Sequence, residues 1–404
     1  MKRLIKKSHF DNIDAIRFLA VFGILISHCF ITDNQQVKVS TLYSDLLQVT
    51  GNLQNVCYSL LFILTGFLNT WTIFEERFIY KNLNLLRFYM RRILGMLPLY
   101  FVMFVLGFFI LPKLNAGIPL EFSELKNPAQ YLSFIFNFGY NEATSPLNPL
   151  QGVWGNMWTI AVSFQFIIVW PILMAYFRRK EKVLMSITMI AFIASAWMWY
   201  CDDSGEPNKS YRFSSLNIIC DFIVGSYLAY FSFFKYKLYG FLKNQTKRTI
   251  GFVYLAFILV MIFLPQIRNE FRFLPAQLVF IIERILLTLT LAFFVFEQNF
   301  NSNSVLKIAK LKIFNYPGKL AYSIYAYHAI AILIAYKIMQ FASTEQTASA
   351  VLLLEPALAV IIALVLAMFS TEYFEKKFTR LIKNYNPTRE YNPVGLNDVK
   401  AKST

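Results

Sequence analysis

The feature that most constrains this chain is a series of apolar blocks, each close to 20 residues long. Such a block matches a helix that crosses a hydrocarbon layer ~30 Å thick, at a rise of ~1.5 Å per residue. A helix also satisfies its own backbone hydrogen bonds in lipid, where water cannot do so. The blocks therefore predict an all-α, polytopic integral membrane protein with about ten transmembrane helices, near residues 14–31, 56–74, 93–111, 157–177, 183–200, 216–234, 249–265, 276–297, 318–340 and 349–370.

The distribution of positive charge predicts how these spans are oriented. With both termini in the cytoplasm, 29 of the 39 Lys and Arg residues fall in inner segments, seven in outer loops and three within spans. Positive charge concentrates on the cytoplasmic side of membrane proteins, so this pattern predicts a multi-pass protein of the cytoplasmic membrane. The net charge of +16 arises mainly from these inner segments and does not predict a nucleic-acid partner.

The spans run through nearly the whole chain without a soluble domain. We predict one membrane-embedded domain over 1–375 and a short basic cytoplasmic tail over 376–404. Within the outer loop 112–156, the stretch AQYLSFIFNFGY is too short to span and is expected to be interfacial or re-entrant. The four cysteines form no C-x-x-C pair, so no metal site is predicted, while a disulfide between Cys29 and Cys57 remains an open alternative.

The first predicted span carries Asp14, Arg17 and His28. Eleven residues separate Arg17 from His28, which places them ~20° apart on one helical face and ~16 Å apart along the axis. Asp14 lies three residues before Arg17 and is expected to pair with it. These side chains either form a functional face or have structural roles, with Arg17 flanking the span on its inner side and His28 at the outer interface.

Arg91 and Arg92 enter the third predicted span from the cytoplasmic side in FYMRRILGMLPLY. They are either orientation signals or a clamp for an anionic group, because guanidinium pairs well with phosphate. The phosphates of a coenzyme would arrive from that side of the membrane.

Several further polar residues lie inside spans, where they are costly and often functional. His328 lies ~10 residues into the ninth predicted span, and is either catalytic or a core histidine bonded to a neighbouring helix. Glu283 and Arg284 are adjacent and diverge by about 100°, so each is expected to face another helix. Asp221 is a third such group.

Six ordered motifs resemble those of the acyltransferase-3 membrane proteins, which O-acylate cell-surface glycans. The resemblance covers residues ~10–380, through DAIRFLAVFGILISH, LLFILTGFL, FYMRRILGMLPLY, WTIAVSFQFIIVWP, AYSIYAYH and YFEKKF. It implies transfer of an acyl group, with acetyl as the expected group, from cytoplasmic acyl-CoA to a hydroxyl of a cell-surface or lipid-linked glycan. The acyl-CoA is then a donor substrate, and no bound cofactor is expected.

The resemblance also implies roles for individual residues. His28 would act as general base, assisted by Asp14, Arg17 and His328 as further catalytic residues. Arg91 and Arg92, together with Arg17, would hold the phosphates of the donor or polarise its thioester carbonyl. The residues assigned to substrate binding are Trp158, Ser163, Tyr325, Glu283 and Arg284.

Three positions depart from the family motifs. Gly95 replaces the third arginine of R-R-x-x-R, Ser163 replaces the glutamate of the fourth-helix motif, and Lys377 stands where proline is common. These departures leave open a relative with altered catalysis that acts as a transporter, regulator or binding subunit. A secondary transporter with Glu283, Arg284 and Asp221 along its path is a third alternative. The acceptor glycan and the oligomeric state are not predicted.

Overall fold

The protein is described here from a computed structural model, which covers residues 10–30, 39–111, 128–139, 157–177, 179–203, 215–270, 276–304, 307–342, 350–383 and 385. Within these ranges the regular structure is entirely helical and contains no strand. The predicted all-α class is confirmed.

The helices of the N-terminal half follow the predicted apolar blocks. They are α1 (Asp11–His28), α2 (Thr41–Tyr80), α3 (Leu85–Val105, continued by a π-helical turn, Leu106–Ile110), the short α4 (Pro128–Leu132), α5 (Met157–Tyr176) and α6 (Lys180–Asp203). Side-chain caps define two of their starts. The Ser40 hydroxyl accepts a hydrogen bond from the Tyr43 amide at α2, and Asn84 accepts one from the Arg87 amide at α3.

The C-terminal half continues the same pattern. Its helices are α7 (Ser215–Phe234), α8 (Tyr236–Lys243), α9 (Lys247–Glu270), α10 (Ala276–Phe300), α11 (Lys312–Lys319), α12 (Ala321–Ala342), α13 (Glu355–Ser370) and α14 (Lys376–Lys383). π-helical turns precede and follow α13, at Ala350–Leu354 and Thr371–Glu375. A tail was predicted to begin at residue 376. Helix α14 forms the first eight residues of that predicted tail, and residues 384 and 386–404 lie outside the described part of the chain.

Each predicted span overlaps one of these helices, but fewer qualify as spans by length and apolar composition. Among the described residues five do so: Thr41–Tyr80, Leu85–Ile110, Met157–Tyr176, Ala321–Ala342 and Leu352–Ile382. A sixth results if the bent pair Ile218–Phe234 and Lys237–Lys243 counts as one span. The chain is therefore a multi-pass membrane protein, while the ten-span layout stays a prediction.

Helix α2 lies at the centre of the fold. Its 40 residues extend ~60 Å, and it packs against α1, α5, α7 and α10. It crosses α7 at two facing glycines, where a Cβ on Gly66 would collide with the Phe222 carbonyl and a Cβ on Gly225 with the Ile63 carbonyl. Small residues permit such close approach between membrane helices.

Most of helix α1 is buried in the bundle. Ala15, Ile16 and Ile24 are fully buried, and α1 packs against α2, α11 and α12. At its start the carbonyl of Asp14 lies directly against Gly318 of α11. The charged residues in its first turns can therefore be satisfied by protein groups, which is the usual environment of charges in membrane helices.

The stretch expected to be interfacial or re-entrant packs into the bundle where it is described. After α4, a 3₁₀ turn spans Phe136–Gly139, and the rings of Tyr131 and Phe136 stack with centroids 4.1 Å apart. Gln165 of α5 donates hydrogen bonds to the Phe134 carbonyl and to the fully buried side chain of Asn137. This segment therefore covers one side of α5. Residues 112–127 and 140–156 of the same loop lie outside the described ranges.

Candidate functional site

Two histidines from opposite ends of the chain meet inside the bundle. His28 is the last residue of α1, and His328 is a fully buried residue of α12. Their ring centroids are 5.6 Å apart with the rings tilted by 36°. Folding thus brings together the two histidines that the sequence analysis selected independently.

Local contacts fix the state of the His328 ring. Its Nδ1 faces the backbone carbonyl of Tyr325, one turn earlier on α12. Because a carbonyl only accepts hydrogen bonds, Nδ1 of His328 carries a proton and donates it to this carbonyl. The Tyr325 ring packs 5.3 Å from the imidazole, and its hydroxyl bonds to Thr159 of α5 at 2.6 Å. Tyr325 therefore connects His328 to α5.

Polar side chains of α2 surround His28. Its Nε2 lies 3.3 Å from the Tyr58 hydroxyl and 3.2 Å from the Gln54 amide nitrogen, and these two atoms are 3.3 Å apart. Trp158 packs edge-on against the Tyr58 ring at 5.1 Å. Gln54 and Tyr58 were not among the predicted site residues. Their spacing of four residues, on an apolar helix, is the signal that could have identified them.

The other end of α1 carries positive charge. Arg17 Nη1 pairs with Asp14 Oδ1 at 3.1 Å, as expected from their spacing. Arg92 of α3 lies close enough to Arg17 and Arg91 to interact electrostatically with both, and its guanidinium lies 5.5 Å from the Phe88 ring centroid. Three guanidinium groups from two helices therefore converge at this end.

The three arginines differ in their partners. Arg91 forms an ion pair of 2.9 Å with the buried carboxylate of Glu76. The same carboxylate also accepts a hydrogen bond of 3.0 Å from the backbone amide of Asn84. Arg17 is paired with Asp14, whereas Arg92 has no acidic partner among the described residues. Of the two arginines expected to clamp phosphate, Arg92 is thus the one without a compensating carboxylate in the described ranges, whereas the charge of Arg91 is paired with that of Glu76.

Two of the three departures from the family motifs, Ser163 and Gly95, occupy different environments. Ser163 is half-buried on α5, one turn after Thr159 and on the same helical face. Gly95 is exposed on α3, and a Cβ there would meet only Ile382 Cδ1 of α14, at 3.8 Å. Space beside Gly95 is therefore open on the described part of the chain.

Two further motifs meet at the end of α12. Ser323 of AYSIYAYH donates a hydrogen bond to the carboxylate of Glu375 in YFEKKF, at 2.8 Å. Ser370 donates to the same carboxylate at 2.8 Å and accepts from the Tyr327 hydroxyl at 3.2 Å. These bonds attach the π-helical turn after α13 to α12.

Arg284 belongs to a separate cluster. Its guanidinium pairs with the fully buried Asp221 of α7 at 2.6 Å and donates to Ser59 of α2 at 3.0 Å. Glu283 is half-buried on the same helix. Because Ser59 directly follows Tyr58, the ion pair lies level with the histidines on another side of α2.

No cluster of three or more metal-ligating residues occurs among the described residues. Cys29 and Cys57 are both buried free thiols, so the structure contains no disulfide between them.

Comparisons with known proteins identify the family of the chain. A sequence model of the acyltransferase-3 family, described as an acyltransferase domain, matches residues 10–371. The chain is also 25% identical over 227 residues to the peptidoglycan O-acetyltransferase OatA of Listeria monocytogenes serovar 1/2a, which covers 52% of this chain and 32% of that protein. The chain thus spans about a third of that relative's length, and no solved structure matches it. The protein belongs to the acyltransferase-3 family.

Proposed function

We propose that this protein transfers an acetyl group from cytoplasmic acetyl-CoA to a hydroxyl of a cell-surface or lipid-linked glycan. The proposal includes ten spans in the cytoplasmic membrane, with both termini inside. One observation carries it: one end of α1 meets the histidine of α12 and the other end meets the arginines of α3, in a chain of the acyltransferase-3 family. The similarity to a peptidoglycan O-acetyltransferase supports a glycan acceptor.

The arrangement suits a long donor with a charged head and a distant reactive group. Arg92 and Arg17 would bind the phosphates of coenzyme A, with Asp14 orienting Arg17. The thioester would then lie toward His28, ~16 Å further along α1. Trp158 and Tyr325, which pack against Tyr58 and His328, would line the acceptor side.

The reaction requires two proton transfers, one from the acceptor hydroxyl to His28 and one from His28 to the departing thiolate. His28 Nε2 takes the proton of the acceptor hydroxyl as its oxygen attacks the thioester carbonyl carbon. A carbon–oxygen bond forms, the carbon–sulfur bond breaks, and the departing thiolate takes the proton from the imidazolium. His328 supports this step by placing a second imidazole ring beside the first.

His28→Ala tests the proposal, with Ser27→Ala as control. Ser27 is the preceding residue, and its hydroxyl bonds to the Ile24 carbonyl of the same helix at 2.7 Å. Removing a general base should lower kcat by ~10²–10⁴, whereas the control should keep normal activity. The readouts are acetyl transfer from labelled acetyl-CoA by purified protein in proteoliposomes, and O-acetylation of surface glycans in a complemented deletion strain. Normal activity of His28→Ala at equal membrane levels would refute the assignment of the base.

Gly95 and Ser163 favour a second candidate, a family member with altered catalysis that serves as a transporter, regulator or binding subunit. Absence of acetyl-CoA hydrolysis and transfer by the purified wild-type protein would support it. The open space at Gly95 allows a direct check, because Gly95→Arg combined with Ser163→Glu should then restore activity.

A further inference from the structure

Gln54 and Tyr58 place two hydrogen-bond donors beside His28. They lie one turn apart on α2 and face the end of α1, and their polar atoms form a triangle with His28 Nε2 whose sides are 3.2–3.3 Å. Tyr58 is buried, and its ring is held by the edge-on contact with Trp158. Helix packing therefore sets the position of the Tyr58 hydroxyl before any substrate binds, and the half-buried Gln54 amide is held beside it by its hydrogen bonds to Tyr58 and His28.

The triangle is the right size to hold one oxygen atom. An oxygen ~2.9 Å from each of the three atoms would lie ~2 Å above their plane, within ordinary hydrogen-bond distance of all of them. Two oxygens bonded to one tetrahedral carbon can also fit, with one oxygen hydrogen-bonded to His28 Nε2 and the other to the Gln54 amide and the Tyr58 hydroxyl. The tetrahedral intermediate of acyl transfer has such a pair, the attacking oxygen and the former carbonyl oxygen.

The chemistry of the two side chains fits the second oxygen. The Gln54 amide nitrogen can only donate, and the Tyr58 hydroxyl can donate its proton. In the resting state the Gln54 amide donates to His28 Nε2, which keeps the lone pair of the imidazole on that atom. When substrate binds, the same donors can turn to an oxygen that gains negative charge.

We propose that the Gln54 amide and the Tyr58 hydroxyl form the oxyanion hole of this acyltransferase. The inference rests on the function proposed above and deepens it. As the acceptor oxygen bonds to the carbonyl carbon, the π electron pair moves onto the carbonyl oxygen, and both side chains donate hydrogen bonds to that oxyanion. Its collapse reforms the carbonyl and expels the thiolate, which takes the proton held by His28. Donors placed in advance where charge develops are among the largest contributions to such catalysis.

Gln54→Leu and Tyr58→Phe test the proposal. Each removes one donor, and Tyr58→Phe keeps the ring that packs against Trp158. Matched controls are Asn55→Leu, an exposed amide next to Gln54, and Tyr176→Phe, an exposed tyrosine of α5. The assays are acetyl-CoA hydrolysis by the purified protein in proteoliposomes, with water as acceptor, and glycan O-acetylation in the complemented deletion strain.

Each donor variant should lower kcat ~10²–10³-fold, with a KM for acetyl-CoA within about twofold of wild type, and both controls should behave as wild type. Wild-type turnover in both donor variants would overturn the proposal. It would also fail if the variants hydrolyse acetyl-CoA normally and lose only transfer to glycan, since the donors would then bind the acceptor. Loss of activity in His28→Ala alone would leave the proposed function standing and refute only the oxyanion hole.

Discussion

Removing the charge of Arg284 should destabilise the protein far more than removing the whole ion pair. Arg284 is the partner of Asp221, whose carboxylate is fully buried between α7, α10 and α2. One oxygen of that carboxylate, Oδ1, already lacks a hydrogen-bond partner among the described residues. In Arg284→Met the buried charge would lose its cation and would keep the Ser59 hydroxyl as a neighbouring donor.

The size of the effect follows from this burial. Breaking a buried ion pair from one side costs ~3–5 kcal/mol in proteins. Insertion of a single charge at the centre of a membrane helix costs a similar ~2.5–3.5 kcal/mol. Replacing both partners by apolar side chains is often nearly neutral, so Asp221→Leu combined with Arg284→Met should cost ~1 kcal/mol or less. The coupling between the two sites should therefore exceed ~2 kcal/mol, well outside the ~0.5 kcal/mol expected of independent substitutions.

A double-mutant cycle measures this coupling. The free energy of unfolding of wild type, both single variants and the double variant would be determined in detergent micelles, followed by tryptophan fluorescence. Additive effects, or a cost below ~1 kcal/mol for Arg284→Met, would refute the reasoning. Acetyl transfer by the double variant adds a functional test. Retained transfer would show that the pair stabilises the bundle and does not bind substrate, contrary to the substrate-binding role predicted for Arg284.

Two further predictions concern helix contact and donor binding. Gly225→Ala should prevent the close crossing of α2 and α7 and sharply lower the yield of folded protein. The control Gly251→Ala, with open space around its Cβ, should be neutral or stabilising by up to ~1 kcal/mol. Equal yields of the two variants in size-exclusion chromatography would contradict the importance of this crossing. Arg92→Gln should raise the KM for acetyl-CoA at least ~10-fold with little change in unfolding temperature, because a hydrogen bond to a charged group contributes ~1.5–3 kcal/mol. Arg91→Gln should mainly lower the unfolding temperature, because it isolates the buried Glu76, and identical KM shifts in both arginine variants would contradict this division.

Sequence patterns identified the helical class and the family because both depend on residues that are close together along the chain. The length of each apolar block is set by the thickness of the hydrocarbon layer, and each block overlaps a helix of the structure. The face shared by Arg17 and His28 also follows from helical periodicity alone. The ion pair between Asp14 and Arg17 could also be predicted from helical spacing, since its two residues are three positions apart.

Contacts between helices that are far apart along the chain could not be predicted from local patterns. The partner of Arg284 is 63 residues away, and a 100° turn per residue indicates only that the side chain faces some other helix. The same holds for Arg91, whose partner Glu76 lies on α2, and for Tyr325, whose hydroxyl meets Thr159 on α5. Glu76 and Thr159 gave no distinctive signal of their own in the sequence.

The sequence by itself determined that this chain is a helical multi-pass membrane protein of the acyltransferase-3 family, because spans and motifs depend on residues that are close along the chain. Only the tertiary structure decided which polar groups share a site. It joined His28 to His328, placed Gln54 and Tyr58 beside them, and left Arg92 as the cation without an acidic partner among the described residues. The physical reason is that helix packing, through crossings such as that of α2 and α7, sets the distances between side chains that lie far apart in sequence.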